Sequence, residues 1–128
     1  MLLDWYVDNG TDEQVAIVSQ VMEHLEKTLF KRGSKTLTID IDFVNTPGGG
    51  CVQMDGDQYE IEINKRLVPK TLQRVLAHEM VHVKQYQTGR LTQSHWMGKP
   101  QPKVPYMEQP WEIEAYTKEK EIVNAMAA

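Results

Sequence analysis

Cys51 is the only cysteine among 128 residues, so no disulfide can form within the chain and a reducing compartment suits it. Long apolar runs are missing as well. No stretch approaches the roughly 20 residues that a membrane-spanning helix needs. The opening residues, Met1-Leu2-Leu3-Asp4-Trp5-Tyr6-Val7-Asp8, lack a basic segment, a sustained apolar stretch and a cleavage site, so no signal peptide is expected. Positive charge is not in excess. Fourteen Lys and Arg against 18 Asp and Glu give a net charge of -4, which argues against nucleic acid or an anionic membrane as partner. No internal repeat or low-complexity tract interrupts the chain. These absences predict a cytoplasmic protein. With 41% hydrophobic and 25% charged residues, the chain has the composition of one globular domain over residues 1–128.

The pattern of apolar residues then sets the expected elements. Residues 11–32 read as an amphipathic helix: Thr11 and Gln14 have capping-box spacing, and Val15, Val18, Met22, Leu25 and Leu29 share a face. Gly33 supplies the stop. Residues 36–44 alternate as a half-buried strand, with Leu37, Ile39, Ile41 and Phe43 inward and Thr38, Asp40 and Asp42 toward water. Pro47-Gly48-Gly49-Gly50 reads as a loop or a bulged sheet edge. Val52 and Met54, the turn residues Asp55-Gly56-Asp57, and Tyr59, Ile61 and Ile63 predict a hairpin. A second helix is expected from Pro69 to Gly89, with Val68, Leu72, Val75, Leu76, Met80 and Val83 on its apolar side. Residues 90–109, with Pro100, Pro102 and Pro105, read as irregular. A last helix runs from Pro110 toward Met126, packing through Ile113, Tyr116 and Val123. The expected class is α+β: an N-terminal helix, a small antiparallel or mixed three-stranded sheet, a second helix and a C-terminal helix.

The second helix carries His78-Glu79-Met80-Val81-His82, a complete His-Glu-x-x-His motif. Residues four apart on a helix lie one above the other, so two imidazoles can reach one zinc ion. Glu79, one step round, cannot share the ligand position but can reach a water on the metal and act as general base. The competing reading is two histidines on an ordinary helix. Leu76, Ala77, Met80 and Val81 argue against it, because buried His and Glu without partners cost free energy. A catalytic zinc usually takes three protein ligands plus water. The downstream candidates are His95, Glu108, Glu112, Glu114, Glu119 and Glu121. Glu112 is favoured because it lies in the first turn of the last helix, although an acid there also suits the helix dipole. Glu114 points about 200° away from it on a helix, so only one of the two can face the metal. His95 offers a three-histidine alternative. His24 reads as a structural or exposed histidine, and Asp40 and Asp42 as the wet face of a strand.

Leu76-Ala77-His78-Glu79-Met80-Val81-His82-Val83-Lys84-Gln85, followed by Pro110-Trp111-Glu112-Ile113-Glu114-Ala115-Tyr116, resembles the small gluzincin metallopeptidases. Tyr59-Glu60-Ile61-Glu62-Ile63-Asn64 and Leu67 are also similar to the SprT-like metallopeptidases, including those carried by phages. The resemblance covers roughly residues 36–120, and only the His-Glu-x-x-His core is sharply specific. Gluzincins take a later glutamate, often with alanine three residues on, as third ligand. Glu112 with Ala115 has that spacing and Glu114 does not, which is the main ground for ranking Glu112 first. Trp111 departs from the asparagine of thermolysin-like relatives. His95-Trp96-Met97-Gly98 is only loosely similar to the third-histidine motif of SprT-like proteins. The resemblance implies a minimal zincin-like catalytic core with one Zn2+. It also implies a sheet edge, at 50–54 or 58–64, that receives an extended peptide by strand addition.

The expected activity is zinc-dependent peptide hydrolysis with His78, His82 and Glu112 as ligands and Glu79 as base. Tyr106, Tyr116 and His95 are candidate donors to the oxyanion. Gln85 is either a partner of a ligand histidine or polar surface. Two other classes compete. One is a regulatory zinc-binding protein, adaptor-like or antirepressor-like, that keeps the fold and cleaves nothing. The other is a hydrolase of a non-peptide bond. A Cys51 nucleophile lacks a neighbouring histidine in the sequence.

Overall fold

Leu3, Trp5 and Val7 alternate with Leu2, Asp4, Tyr6 and Asp8. In the computed structural model, which describes residues 1–127, this period-two segment is a strand, β1 (Leu2–Asp8). The expected order of one helix and then three strands therefore gains an opening strand. Helix α1 (Asp12–Lys27) follows at once, closed by the capping box between Thr11 and Gln14. It stops five residues short of the expected Arg32, because the chain turns after Thr28 to bury Phe30 in the core. Gly33, at φ +106°, serves that later turn and not the helix end itself.

Strands β2 (Thr36–Val44), β3 (Gly49–Gln53) and β4 (Gln58–Asn64) complete a sheet of order β1-β2-β4-β3. β1 and β4 run parallel to β2, and β3 runs antiparallel to β4. The sheet is thus mixed, with four strands where three were expected. Helix α1 is the crossover between the parallel β1 and β2. The β3–β4 hairpin puts β3 at the sheet edge and β4 inside, so of the two segments considered for the edge only the first holds that position.

One face of the sheet is apolar. Leu3, Leu37, Ile39, Ile41, Phe43, Ile61 and Ile63 pack there against Val18, Val21, Met22 and Leu25 of α1. Leu72, Leu76, Met80 and Val83 of helix α2 (Pro69–Gln87) join the same cluster. At about 25 cal/mol per Å2 of apolar surface, each fully buried side chain of this kind contributes about 1.5–3 kcal/mol. The other face, with Asp4, Asp8, Asp40, Glu60 and Glu62, is exposed. Pro69 occupies the first turn of α2, and Val68 is an exposed N-cap residue, 63% accessible, instead of part of the apolar side.

Helix α3 (Pro110–Ala127) lies antiparallel to α2. It buries Trp111, Glu112, Ala115 and Glu119, whereas the expected packing residue Ile113 is 53% exposed and Tyr116 and Val123 are half-buried. The segment between α2 and α3 is not wholly irregular. It contains a small hairpin, β5 (His95–Trp96) with β6 (Lys99–Pro100), and a 3-10 turn at Tyr106–Glu108. Trp96 packs near Trp111 and under the Arg90 guanidinium, which ties the hairpin to α3 and to the chain just past α2. No helix among the described residues is long and apolar enough to cross a membrane.

Candidate metal centre

His78 and His82 are one turn apart on α2 and both are buried, on the side that meets α3. Antiparallel packing sets Glu112 of α3 opposite the pair. Its Oε1 lies 2.8 Å from His78 Nε2 and 3.1 Å from His82 Nε2. Nitrogen and oxygen donors of all three residues fall within 4.8 Å of one another, so His78, His82 and Glu112 can hold a metal ion. Ligand bonds of about 2.0–2.1 Å in a tetrahedral shell put neighbouring donors about 3.3 Å apart, close to what the side chains already span.

The far nitrogens of both rings are fixed too. His78 Nδ1 is 3.0 Å from Glu119 Oε1, and His82 Nδ1 is 2.8 Å from Gln85 Oε1. The Gln85 amide nitrogen donates to Trp111 O and Glu114 Oε1, which leaves its oxygen to face His82. Each Nδ1 therefore meets an acceptor and must carry hydrogen. Each Nε2 is then left to offer a lone pair, the state a metal requires. Without a cation the same Nε2 atoms face a carboxylate oxygen and can bond it only when protonated. The titration of the set agrees. Burial works to lower the two imidazole pKa values, but Glu112 foremost, then Glu79 and each ring's own partner, outweigh it and hold both above the ordinary range. Burial works to raise Glu112, but hydrogen bonds from His78, His82 and Tyr106 override it and pull the carboxyl down to about 2. The carboxylate thus draws positive charge to this point, as protons on the imidazoles when no ion is held and as a cation in their place when one is.

Glu79 stands beside this set without joining it. It is 6% exposed and lines the cleft, and none of the hydrogen bonds that fix the centre reaches its carboxylate. Burial, with the Glu112 and Glu119 charges, pushes its pKa up against the pull of the two imidazoles. Gly49 of β3 lets it sit there. A Cβ at Gly49 would come within 2.8 Å of Val75 Cγ1 and 3.4 Å of Glu79 Oε2, so only glycine lets the edge strand lie this close to α2.

The remaining candidates separate clearly. Glu114 stands outside the donor cluster, where it takes two hydrogen bonds from Arg90, one at 2.9 Å, and one from Gln85. His95 is exposed on β5, where its Nδ1 meets Ser94 Oγ, and it lies outside the donor cluster. Tyr106 reaches the centre. Its hydroxyl donates to Glu112 Oε1 at 3.0 Å and lies 3.4 Å from the Tyr116 hydroxyl. The Tyr116 ring packs on His78, centroids 4.4 Å apart. Glu119, weighed in the sequence only as a direct ligand, instead braces His78. Glu112, Ala115 and Glu119 recur at steps of three and four, a spacing that places all three on one face. Glu108 and Glu121 are exposed and His24 lies half-buried on α1. Cys51 sits on β3, where burial first and the Glu79 charge next push its thiol well above the ordinary value, away from the thiolate a nucleophile needs. No family model matches the chain, nor does any curated protein or solved structure, so its chemistry is read from this centre alone.

Proposed function

We propose that the protein is a zinc-dependent peptide hydrolase. The observation that carries the reading is Glu79: a buried carboxylate left out of the hydrogen bonds that organise the centre, next in sequence to one ligand and open to the cleft. A centre built only to bind metal needs ligands and favours a closed shell of four protein groups. Here three protein donors converge and a free carboxylate stands beside them. Two imidazoles and one carboxylate suit zinc among the common divalent ions. When bound, zinc supplies Lewis acidity toward a carbonyl oxygen and brings the pKa of water to about 7.

The chain's own groups do the rest. Glu79 accepts a proton from the attacking water on its carboxylate and returns it to the departing amine nitrogen. The Tyr106 hydroxyl, already aimed at the centre, donates to the carbonyl oxygen as negative charge gathers there. β3 has one edge unpaired, so its backbone can align an extended peptide by strand addition along the cleft. Glu119 and Gln85 keep the imidazoles oriented throughout.

The test compares wild-type and Glu79→Gln proteins by metal analysis and by hydrolysis of a peptide library. Zinc stoichiometry should be equal and hydrolysis should fall by about 10²–10⁴-fold in the variant. Equal hydrolysis by both proteins removes Glu79 as base. Zinc bound with no peptide cleaved by wild type leaves a regulatory metal protein as the better reading.

A further inference from the structure

We infer that the cleft selects a substrate with a carboxylate on one side of Glu79 and uncharged polar groups on the other. The inference extends the peptide-hydrolase reading, but recognition can be measured apart from cleavage. The cleft has two lobes that share Gly49, Glu79 and Tyr106. The larger, about 580 Å3, runs between β3 and the segment from Leu91 to Trp111. Beyond the metal centre and Glu79 its polar lining is uncharged, chiefly the amides of Gln53, Gln93, Gln101 and Gln109 with the hydroxyls of Thr92, Tyr86 and Tyr106, and no lysine or arginine lines it. Each amide offers donors and an acceptor, which suits backbone amides and neutral side chains. The smaller lobe, about 450 Å3, lies between the Gly48–Gly49 end of β3 and the two helices, and Arg74 and Lys120 line it.

Helical spacing explains that pair of cations. Arg74 is one turn before His78 on α2, and Lys120 is one turn after Tyr116, whose ring packs on His78. Because the helices are antiparallel, both steps lead to the same end of the cleft. Both residues are exposed, and neither is ion-paired among the described residues. Glu119, in the same lobe, is already taken by His78 Nδ1. A chain of net charge -4 thus places two cations, neither of them ion-paired among the described residues, on the lobe they share with Glu79 and Glu119. A substrate carboxylate satisfies both, and a substrate lysine meets like charge. That carboxylate is either an aspartate or glutamate side chain or the free end of a peptide.

The test uses zinc-loaded protein and quenched-fluorescent peptides of one uncharged sequence. One set is capped at both ends and carries a single glutamate or lysine at successive positions. One peptide is neutral with a free C-terminus, and one is neutral and capped. At low salt, carboxylate peptides should exceed lysine peptides by about tenfold in kcat/KM, and the gap should close as salt screens it. Which carboxylate peptide gains identifies the source. Joint Arg74→Glu and Lys120→Glu substitution should reverse the ranking, and joint Arg74→Gln and Lys120→Gln should level it. Metal content and circular dichroism establish that both variants are folded. Where the peptides are cleaved, equal rates for all of them, or a ranking unmoved by charge reversal, overturn the inference. Fluorescence anisotropy of the same peptides on Glu79→Gln protein separates it from the hydrolase reading. Charge-ranked binding without wild-type cleavage keeps recognition and discards hydrolysis. Binding without charge ranking discards recognition even where cleavage is found.

Discussion

Glu112 Oε1 is the point at which both Nε2 atoms and the Tyr106 hydroxyl meet, so the centre depends on this one carboxylate more than on any other acid of α3. Glu112→Ala should lower zinc affinity far more than Glu114→Ala, whose side chain serves Arg90 and Gln85 instead. Glu119→Gln should fall between them, with a loss of about 10–100-fold from the relaxed grip on His78. Competitive titration with a chromogenic chelator reads all three, and equal losses for Glu112 and Glu114 would overturn the ligand assignment. Tyr59 makes a different case. It is 1% exposed on β4, and its hydroxyl has no hydrogen-bond partner. Burial, then Asp57 and Cys51, push its pKa up to about 12, and the Gln53 amide tempers the rise without reaching hydrogen-bond geometry. The unfolded chain ionises this phenol near pH 10. A folded pKa above the unfolded one means that its contribution is full below about pH 10 and is lost as pH climbs toward 12. Tyr59→Phe should remove that alkaline loss. It should also add about 1 kcal/mol at neutral pH by deleting an unsatisfied buried hydroxyl. Denaturant melts at pH 7 and pH 11 decide the matter, and a destabilised variant at pH 7 would mean that the hydroxyl is bonded after all.

At the scale of elements, β3 and α2 define how near the sheet edge comes to Glu79, and Gly49 sets their spacing. Gly49→Ala should force the strand outward, costing about 1–3 kcal/mol by overpacking and, on the proposed function, most of the peptide hydrolysis. Gly50→Ala is the control, since a Cβ there meets nothing within 4 Å. If thermal melts and rates respond alike to the two substitutions, close approach is not what Gly49 provides. The elements differ in how far they could be read in the sequence. α2 was legible from end to end because apolar period, Pro69 and Gly89 all agree on it. β2 and β4 alternate without interruption and were equally plain. β1 is not evident from local pattern, although Leu3, Trp5 and Val7 alternate, because its partner Thr36–Asp42 lies more than thirty residues away. For the same reason the parallel pairing of β2 with β4 cannot be derived from local pattern, whereas the adjacent hairpin of β3 and β4 can. In the centre, His78, Glu79 and His82 follow from spacing on one helix. Glu112 is singled out in the sequence mainly by resemblance; its place opposite the histidines comes from the packing of two helices, and the brace from Glu119 from the register between them.

For the molecule as a whole, the centre joins α2 to α3, so cation binding should stabilise the entire fold and not the site alone. Zinc at a hundred times its dissociation constant adds about 2.7 kcal/mol if the unfolded chain binds none. The melting temperature should therefore rise with zinc and fall back with a chelator. A melt indifferent to both would show that the two helices dock without metal and that the donor set binds none. The chain order of the donors has a further consequence. Glu112 lies 30 residues beyond His82, and Glu119 41 beyond His78. At about 5–20 residues per second, a ribosome finishes α2 some seconds before it makes the acid that completes the trio. During that interval the nascent polypeptide displays two imidazoles and Glu79 without the third donor. Any product broken off before residue 112 lacks the third donor, so the order of synthesis itself withholds the complete centre until the last helix is begun.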